Sequence, residues 1–160
     1  MSKMGVSQKE IEDASNYVSK PGTFTVSFQG FKPKKAKSGD STNLNPNVVV
    51  IGDPIQNGKQ SNYSLNFQAS TWFMVKSFVH SFGLEIEKDA QGNESIPGEW
   101  NQPDPKDPST WTYNGPLMGR TGQWEFAEVE YQGKKSVKPK QFLCAVAGCT
   151  EKHPDNLNKG

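Results

Sequence analysis

Strict alternation of apolar and polar residues marks the first predicted β-strand. Between residues 23 and 29, Phe24, Val26 and Phe28 share one face, and polar residues occupy the other. Successive side chains of a strand point to opposite faces, so this pattern predicts a half-buried strand. Alternation or short β-branched runs predict further strands over residues 48–51, 63–67, 111–113, 123–131 and 140–146.

Helical periodicity replaces the alternation after residue 70. Trp72, Val75, Val79 and Phe82 form one apolar stripe, which predicts a helix over residues 71–82. Ser70 is the predicted N-cap, and Gly83 is a suitable C-terminal stop. A second, short helix is predicted near the N-terminus, where residues 7–10 match a capping box.

The segment 85–110 carries four prolines and little periodicity, so we expect a long polar insertion without regular structure. The predicted organisation is an N-terminal helix and lead-in over residues 1–20, one domain over 21–150 and a flexible tail over 151–160.

The order of elements is three strands, a helix, and then two or three strands. An oligonucleotide-binding (OB) barrel has five strands and often carries its helix between the third and fourth. The 15 glycines and 11 prolines also favour a turn-rich β fold. We therefore predict an all-β protein: a five-stranded OB-like barrel with a helix between strands 3 and 4 and a short N-terminal helix.

Charge is segregated along the chain, although the net charge is only +1. Residues 85–107 carry seven acids against two lysines. Lysines form one cluster over residues 32–37 and a second over 134–140. Such clusters can neutralise phosphates, or they can simply keep a strand edge solvated. Two clusters together favour a binding surface.

Several function classes lack their sequence signatures. The chain has no Ser-His-Asp pattern, nucleophile elbow, phosphate loop or paired carboxylates, so we predict no catalytic residues and no cofactor. Cys144, Cys149, His153 and His80 do not have the spacing of a zinc site, so no metal is predicted. No apolar run is long enough to span a membrane, and no signal-peptide core is present, which predicts free thiols in a reducing cytosol.

The strand over residues 123–131 has two interpretations. If Ala127, Val129 and Tyr131 face the core, Trp124 and Phe126 face outward, as a base-stacking platform would. A β-bulge near Ala127 would instead return both rings to the core. The sequence leaves both open.

Three short motifs carry a family resemblance. Residues 20–26, Lys-Pro-Gly-Thr-Phe-Thr-Val, are similar to the "P-x-G-x-aromatic-x-V" opening of small phage replication proteins. Residues 37–40, Lys-Ser-Gly-Asp, resemble the "K-S-G-N" loop that follows their first strand. Residues 115–120 are similar to their "L-x-G-K/R" lead-in to the fourth strand. Over about residues 20 to 146, the chain resembles phage-encoded single-stranded-DNA-binding proteins of the OB type.

The resemblance implies sequence-independent binding of single-stranded DNA during phage replication or recombination, in the cytoplasm of the bacterial host. Lysines and one arginine would contact phosphates, and exposed rings would stack on bases. The implied binding residues are Phe31, Lys32, Lys34, Lys35, Lys37, Arg120, Trp124, Phe126, Lys134, Lys135 and Lys138.

The sequence differs from the family pattern in two respects, and the resemblance does not specify protein partners. The segment 85–110 is longer than usual, and residues 153–160 lack the acidic tail by which bacterial relatives recruit replication partners. Other contacts with phage or host replication proteins, and self-association, are compatible with the resemblance. A phage capsid or tail decoration protein with a β-barrel is the alternative, and a small enzyme ranks last. A DNA binder is expected to carry both lysine clusters on one face, whereas a decoration protein has no such need.

Overall fold

A computed structural model describes residues 4–7, 17–37, 39, 41–61, 63–143 and 145, without the side chains of Tyr131 and Lys134. The strands are β1 (Gly22–Phe31), β2 (Lys34–Lys35), β3 (Thr42–Asn43), β4 (Pro46–Ile51), β5 (Asn66–Phe67), β6 (Glu87–Lys88), β7 (Glu94–Ser95), β8 (Glu99–Asn101), β9 (Thr112–Asn114), β10 (Thr121–Tyr131) and β11 (Lys134–Leu143). The α-helix α1 spans Trp72–Ser81, and 3₁₀ turns span Ala69–Thr71 and Pro108–Thr110.

One antiparallel sheet with strand order β11-β10-β1-β4 forms the frame of the protein. The alternating residues of β1 lie as the sequence predicts. Val26 and Phe28 are fully buried, whereas Thr23 and Gln29 are exposed. The outer edge of β4 is joined to the segment 58–61, because Ser61 N donates to Val48 O.

Helix α1 covers the inner face of this sheet and closes the core. Its stripe of Val75, Phe78 and Val79, continued by Phe82 just beyond its end, is buried against the rings of β1, β10 and β11. The backbone of Gly122 abuts the carbonyl of Ser81, so a side chain at this position would collide with the helix. This close approach explains a glycine near the start of β10.

The two ends of α1 match the sequence prediction unequally. Gly83 adopts φ 79° and donates its N–H to His80 O, as expected of a glycine after a helix. The predicted N-cap, Ser70, is wrong. Ser70 lies inside the 3₁₀ turn, and Thr71 occupies the N-cap position without a side-chain capping bond.

The expectation that Trp124 and Phe126 form an exposed platform is wrong. Trp124 is 0% exposed and Phe126 is 2% exposed. The reason is strand pairing: Trp124 lies opposite Phe24 of β1, and directly opposed residues share a face of a sheet. A bulge is present, but it lies between Glu125 and Phe126 and places the extra residue, Lys140, on β11.

Beyond Phe126 the strands β10 and β11 leave the sheet as a two-stranded arm, which we define as residues 127–138. The pairing of β10 with β1 ends at Phe126, whereas its pairing with β11 continues to Tyr131. Glu128 and Glu130 are therefore exposed although they share a strand face with Trp124. Gln132 and Gly133, with φ 52° and 77°, form the tight turn at the tip.

The insertion 85–110 contains more regular structure than the sequence predicts. It forms the hairpin β6-β7 and provides β8, which pairs with β9. Glu94 joins this segment to α1 by accepting a hydrogen bond from Trp72 Nε1 at 3.1 Å and by ion pairs with Lys76 and Lys88. Desolvation opposes ionisation of Glu94, but these partners together lower its pKa below the ordinary value.

The prediction of a mainly β protein with one helix after the first strands is confirmed. The strands of the described residues form open sheets: the main sheet, β2-β3-β5, β6-β7 and β8-β9. The five-stranded barrel itself stays a prediction. The predicted N-terminal helix and the tail 151–160 lie in parts of the chain that are not described, apart from the lead-in residues. No helix of the described part is long and apolar enough to cross a membrane.

Candidate nucleic-acid interface

A cleft of about 510 Å³ opens where β1 ends and the lysine cluster begins. Its lining includes Phe31, Lys32 and Lys34 from the end of β1 and β2, together with Asn45 and Trp111. We call this the central cleft. It brings together three of the residues that the resemblance implies, Phe31, Lys32 and Lys34, with a tryptophan that it does not.

Trp111 is a large ring that takes no part in the hydrophobic core, and it is only half-buried. Its indole Nε1 donates to Asp104 O at 2.8 Å, which fixes the ring against its own loop. The 3₁₀ turn that precedes it is tied by Asp107, whose carboxylate accepts hydrogen bonds from Ser109 N and Oγ. These hydrogen bonds orient the ring at the cleft without a ligand, and such preorganisation lowers the entropic cost of stacking.

Two further clefts adjoin the central cleft and share residues with it. The apolar cleft, about 90 Å³, shares Trp111 and is also lined by Leu44, Phe67 and Trp100. The polar cleft, about 210 Å³, shares Lys32 and Asn45 and contains Tyr17 and Gln60. The three clefts are therefore neighbours on one part of the surface, which we call the groove.

The charge of the groove is positive. Lys32 and Lys34 line it, Lys35 and Lys37 are exposed nearby, and none of the described residues that line the three clefts is acidic. No ion pair joins these four lysines to a described carboxylate. Their ammonium groups are consequently available to an anion.

The second lysine cluster lies elsewhere, and its charge is partly neutralised. Lys135 pairs with Glu128 and Lys140 with Glu125, each at 3.7 Å. Lys138 is half-buried on the arm, and the side chain of Lys134 is not described. The arm extends past Gly22 at one end of β1 and the central cleft lies past Phe31 at the other. A strand of 10 residues separates them by about 30 Å. The two lysine clusters therefore lie toward opposite ends of β1.

Arg120, Trp124 and Phe126 also lie outside the groove. The guanidinium of Arg120 lies against Gly83 at the C-terminal end of α1, where a cation complements the helix dipole. Trp124 and Phe126 are core residues, as described above. Phe31 is half-buried, because it stacks on Trp100 at a centroid distance of 5.2 Å. One face of its ring is therefore occupied by Trp100.

The described lining of the groove offers no group of metal ligands. No group of three potential metal ligands occurs within the described residues, and Cys144, Cys149 and His153 are outside them. Tyr63, which lines the polar cleft, has its pKa raised by burial, so its hydroxyl stays neutral at ordinary pH. The groove can offer ring faces, ammonium groups and amide donors.

No protein-family model matches this chain, and no curated protein matches it.

Sequence reasoning missed Trp111 and Asn45, for different reasons. Trp111 follows a polar, proline-rich segment and belongs to no apolar stripe, which is a usable signal for a ring with a surface role. Asn45 carries only a turn signal, Asn-Pro, before β4. Its position between two clefts depends on long-range packing.

Proposed function

We propose that this protein binds single-stranded DNA without sequence specificity, during phage DNA replication or recombination in the bacterial host. The observation that carries the proposal is one open cleft that combines the half-exposed ring of Trp111 with the unpaired ammonium groups of Lys32 and Lys34. Stacking tolerates any base because every base has a π-face, and ammonium groups follow the phosphates. This combination does not require catalysis or a cofactor.

An OB-like barrel is part of this proposal. The main sheet uses β1 and β4 before α1 and β10 and β11 after it, an order similar to that of an OB fold with a helix in the middle. The small sheet β2-β3-β5 lies between β1 and α1 in the chain and would supply the remaining strands. The groove lies next to this small sheet, since Lys34 belongs to β2 and Phe67 to β5.

Binding should weaken steeply as salt increases. Four exposed lysines lie at or near the groove, and each phosphate contact contributes about −0.7 to the slope of log K against log salt for a single strand. We expect a slope of roughly −3, measured by fluorescence anisotropy of a labelled oligothymidine over a series of salt concentrations. No measurable binding at low salt would exclude the DNA function.

Removal of two lysine charges should reveal which cluster contacts DNA. The double variant Lys32→Gln, Lys34→Gln should flatten the salt slope by about 1.4, whereas Lys135→Gln, Lys138→Gln should leave it unchanged. The arm lies about 30 Å from the groove, well beyond the Debye length at physiological salt. Exposed lysine substitutions should change stability by no more than about 0.5 kcal/mol each, and thermal unfolding provides that control. Equal flattening by both variants would contradict the assignment of the groove.

The separation of the two lysine clusters is the one observation that favours the alternative, a phage capsid or tail protein. Such a protein needs no shared basic face and no stacking ring. It would bind virion components rather than oligonucleotides, so the same anisotropy titration separates the two functions.

A further inference from the structure

The central and polar clefts meet at two residues, Lys32 and Asn45, which line both. Their backbones are joined, because Lys32 N donates to Asn45 O at 3.2 Å and to Leu44 O at 3.0 Å. These hydrogen bonds fix the main chain of Lys32 relative to that of Asn45. Any chain that passes from one cleft to the other must cross this junction.

Asn45 has an unusual backbone conformation. Its φ of 45° lies in the left-handed region, which among described non-glycine residues is shared only by Gln132 at the tip of the arm. Asparagine tolerates this conformation, but glycine adopts it without steric cost. The conformation thus favours glycine or asparagine here, and Asn45 differs from glycine in carrying a side-chain amide.

The side-chain amide of Asn45 is oriented by a neighbour. Ser64 Oγ donates to Asn45 Oδ1 at 2.9 Å, which occupies the carbonyl side of the amide. The two N–H groups of Nδ2 have no hydrogen-bond partner among the described residues. They remain as donors on a residue that lines both clefts together with Lys32, and no acidic residue belongs to the described lining of either cleft.

A neutral donor and a cation on two residues that line the same clefts suit a phosphate group. We infer that the junction holds one backbone phosphate of the bound strand, with hydrogen bonds from Asn45 Nδ2 and Lys32 Nζ. The bases on its two sides then lie in the two clefts, one against Trp111 and the other against Tyr17, which is 44% exposed. Ser64 is a positioning residue that acts through Asn45. The inference rests on the proposed function, because it names the path of the strand within the same groove.

Tyr17 is placed for this role by the lead-in to β1. It forms a parallel bridge with Gln60, and Val18 N donates to Gln60 O at 2.9 Å. Val18 is buried, so the ring of Tyr17 next to it is anchored at the polar cleft although it is exposed. The polar cleft therefore has a ring of its own, as a second base site requires.

The test compares Asn45→Gly and Lys32→Gln in anisotropy titrations with labelled oligothymidine at several salt concentrations. A hydrogen bond to a charged group is strong enough that Asn45→Gly should weaken binding about tenfold. Because the amide is neutral, the salt slope should not change. Lys32→Gln should weaken binding and also flatten the slope by about 0.7.

Three companion variants separate the amide from the backbone. Gln132→Gly makes the same left-handed backbone change on the arm and should bind as the parent does. Asn45→Asp keeps the acceptor for Ser64 but places a carboxylate at the phosphate, and it should bind more weakly than Asn45→Gly. Ser64→Ala should weaken binding about threefold, less than complete loss of the amide. Ser64→Thr retains the hydroxyl, so it should bind DNA as the parent protein does. Thermal unfolding of Asn45→Gly should match the parent, because glycine favours this φ.

The outcomes distinguish failure of the phosphate junction from failure of the proposed DNA-binding function. If Trp111→Ala weakens binding but Asn45→Gly binds like the parent, the phosphate junction is overturned and the DNA function stands. If Asn45→Gly flattens the salt slope as much as Lys32→Gln does, the amide acts only by displacing the lysine, and the junction is again overturned. Absence of binding by the parent protein overturns both.

Discussion

Replacement of Trp124 by alanine should lower the free energy of unfolding by about 3 to 5 kcal/mol, the largest single effect expected in this protein. Trp124 is fully buried and packs on Phe142 with a centroid distance of 4.5 Å. It also contacts Phe78 and Phe82 of the helical segment. Alanine would leave a cavity between the sheet and α1 that the surrounding rings cannot fill.

The indole of Trp124 also makes a buried hydrogen bond, because Nε1 donates to Ser81 Oγ at 2.9 Å. Urea unfolding followed by circular dichroism measures the total loss, and the melting temperature should fall by roughly 10 °C or more. Ser81→Ala isolates the hydrogen bond and should cost about 1 to 3 kcal/mol, since it leaves the indole N–H unpaired. If Trp124→Ala melts within a few degrees of the parent, the ring does not belong to the core.

Replacement of Trp111 by alanine should reduce DNA binding and leave the stability of the fold almost unchanged. The loss of one stacking ring should weaken single-stranded DNA binding by about 1 to 3 kcal/mol, which is about 5- to 150-fold. Trp111 does not belong to the hydrophobic core, so the melting temperature should change by only a few degrees.

Anisotropy titration and thermal unfolding of the same purified variant measure both quantities. Trp111→Phe keeps a ring and should retain part of the affinity, although it loses the bond from Nε1 to Asp104 O. Together, Trp124→Ala and Trp111→Ala test whether the two rings have separate roles, Trp124 in stability and Trp111 in binding. Unchanged affinity of Trp111→Ala would remove the central observation that supports the proposed function.

Local pattern was sufficient for the elements with strong periodicity. The alternation of Phe24, Val26 and Phe28 predicted both the strand β1 and the face that it buries. The stripe over residues 72–82 predicted α1, and Gly83 predicted its end. These features depend on the period of the backbone and on the conformational freedom of glycine, which are properties of a short segment.

Local pattern did not decide which face of a strand is buried where the strand pairs with different neighbours along its length. The alternation of β10 is confirmed, but it left the face of Trp124 open. One of the two interpretations took the buried face from Ala127, Val129 and Tyr131, which belong to an arm that has left the sheet. Pairing with β1 decides the face of Trp124, and that pairing ends at Phe126.

The groove was likewise decided by tertiary structure. The sequence alone determined that Lys32 and Lys34 lie beside an aromatic residue, Phe31, at the end of a strand. It did not determine that the insertion brings Trp111 to those lysines, or that Asn45 joins two clefts beside them. The periodicity of a segment is visible in its own sequence. Which partner buries one of its faces, and where that pairing ends, depends on contacts between residues far apart in the chain.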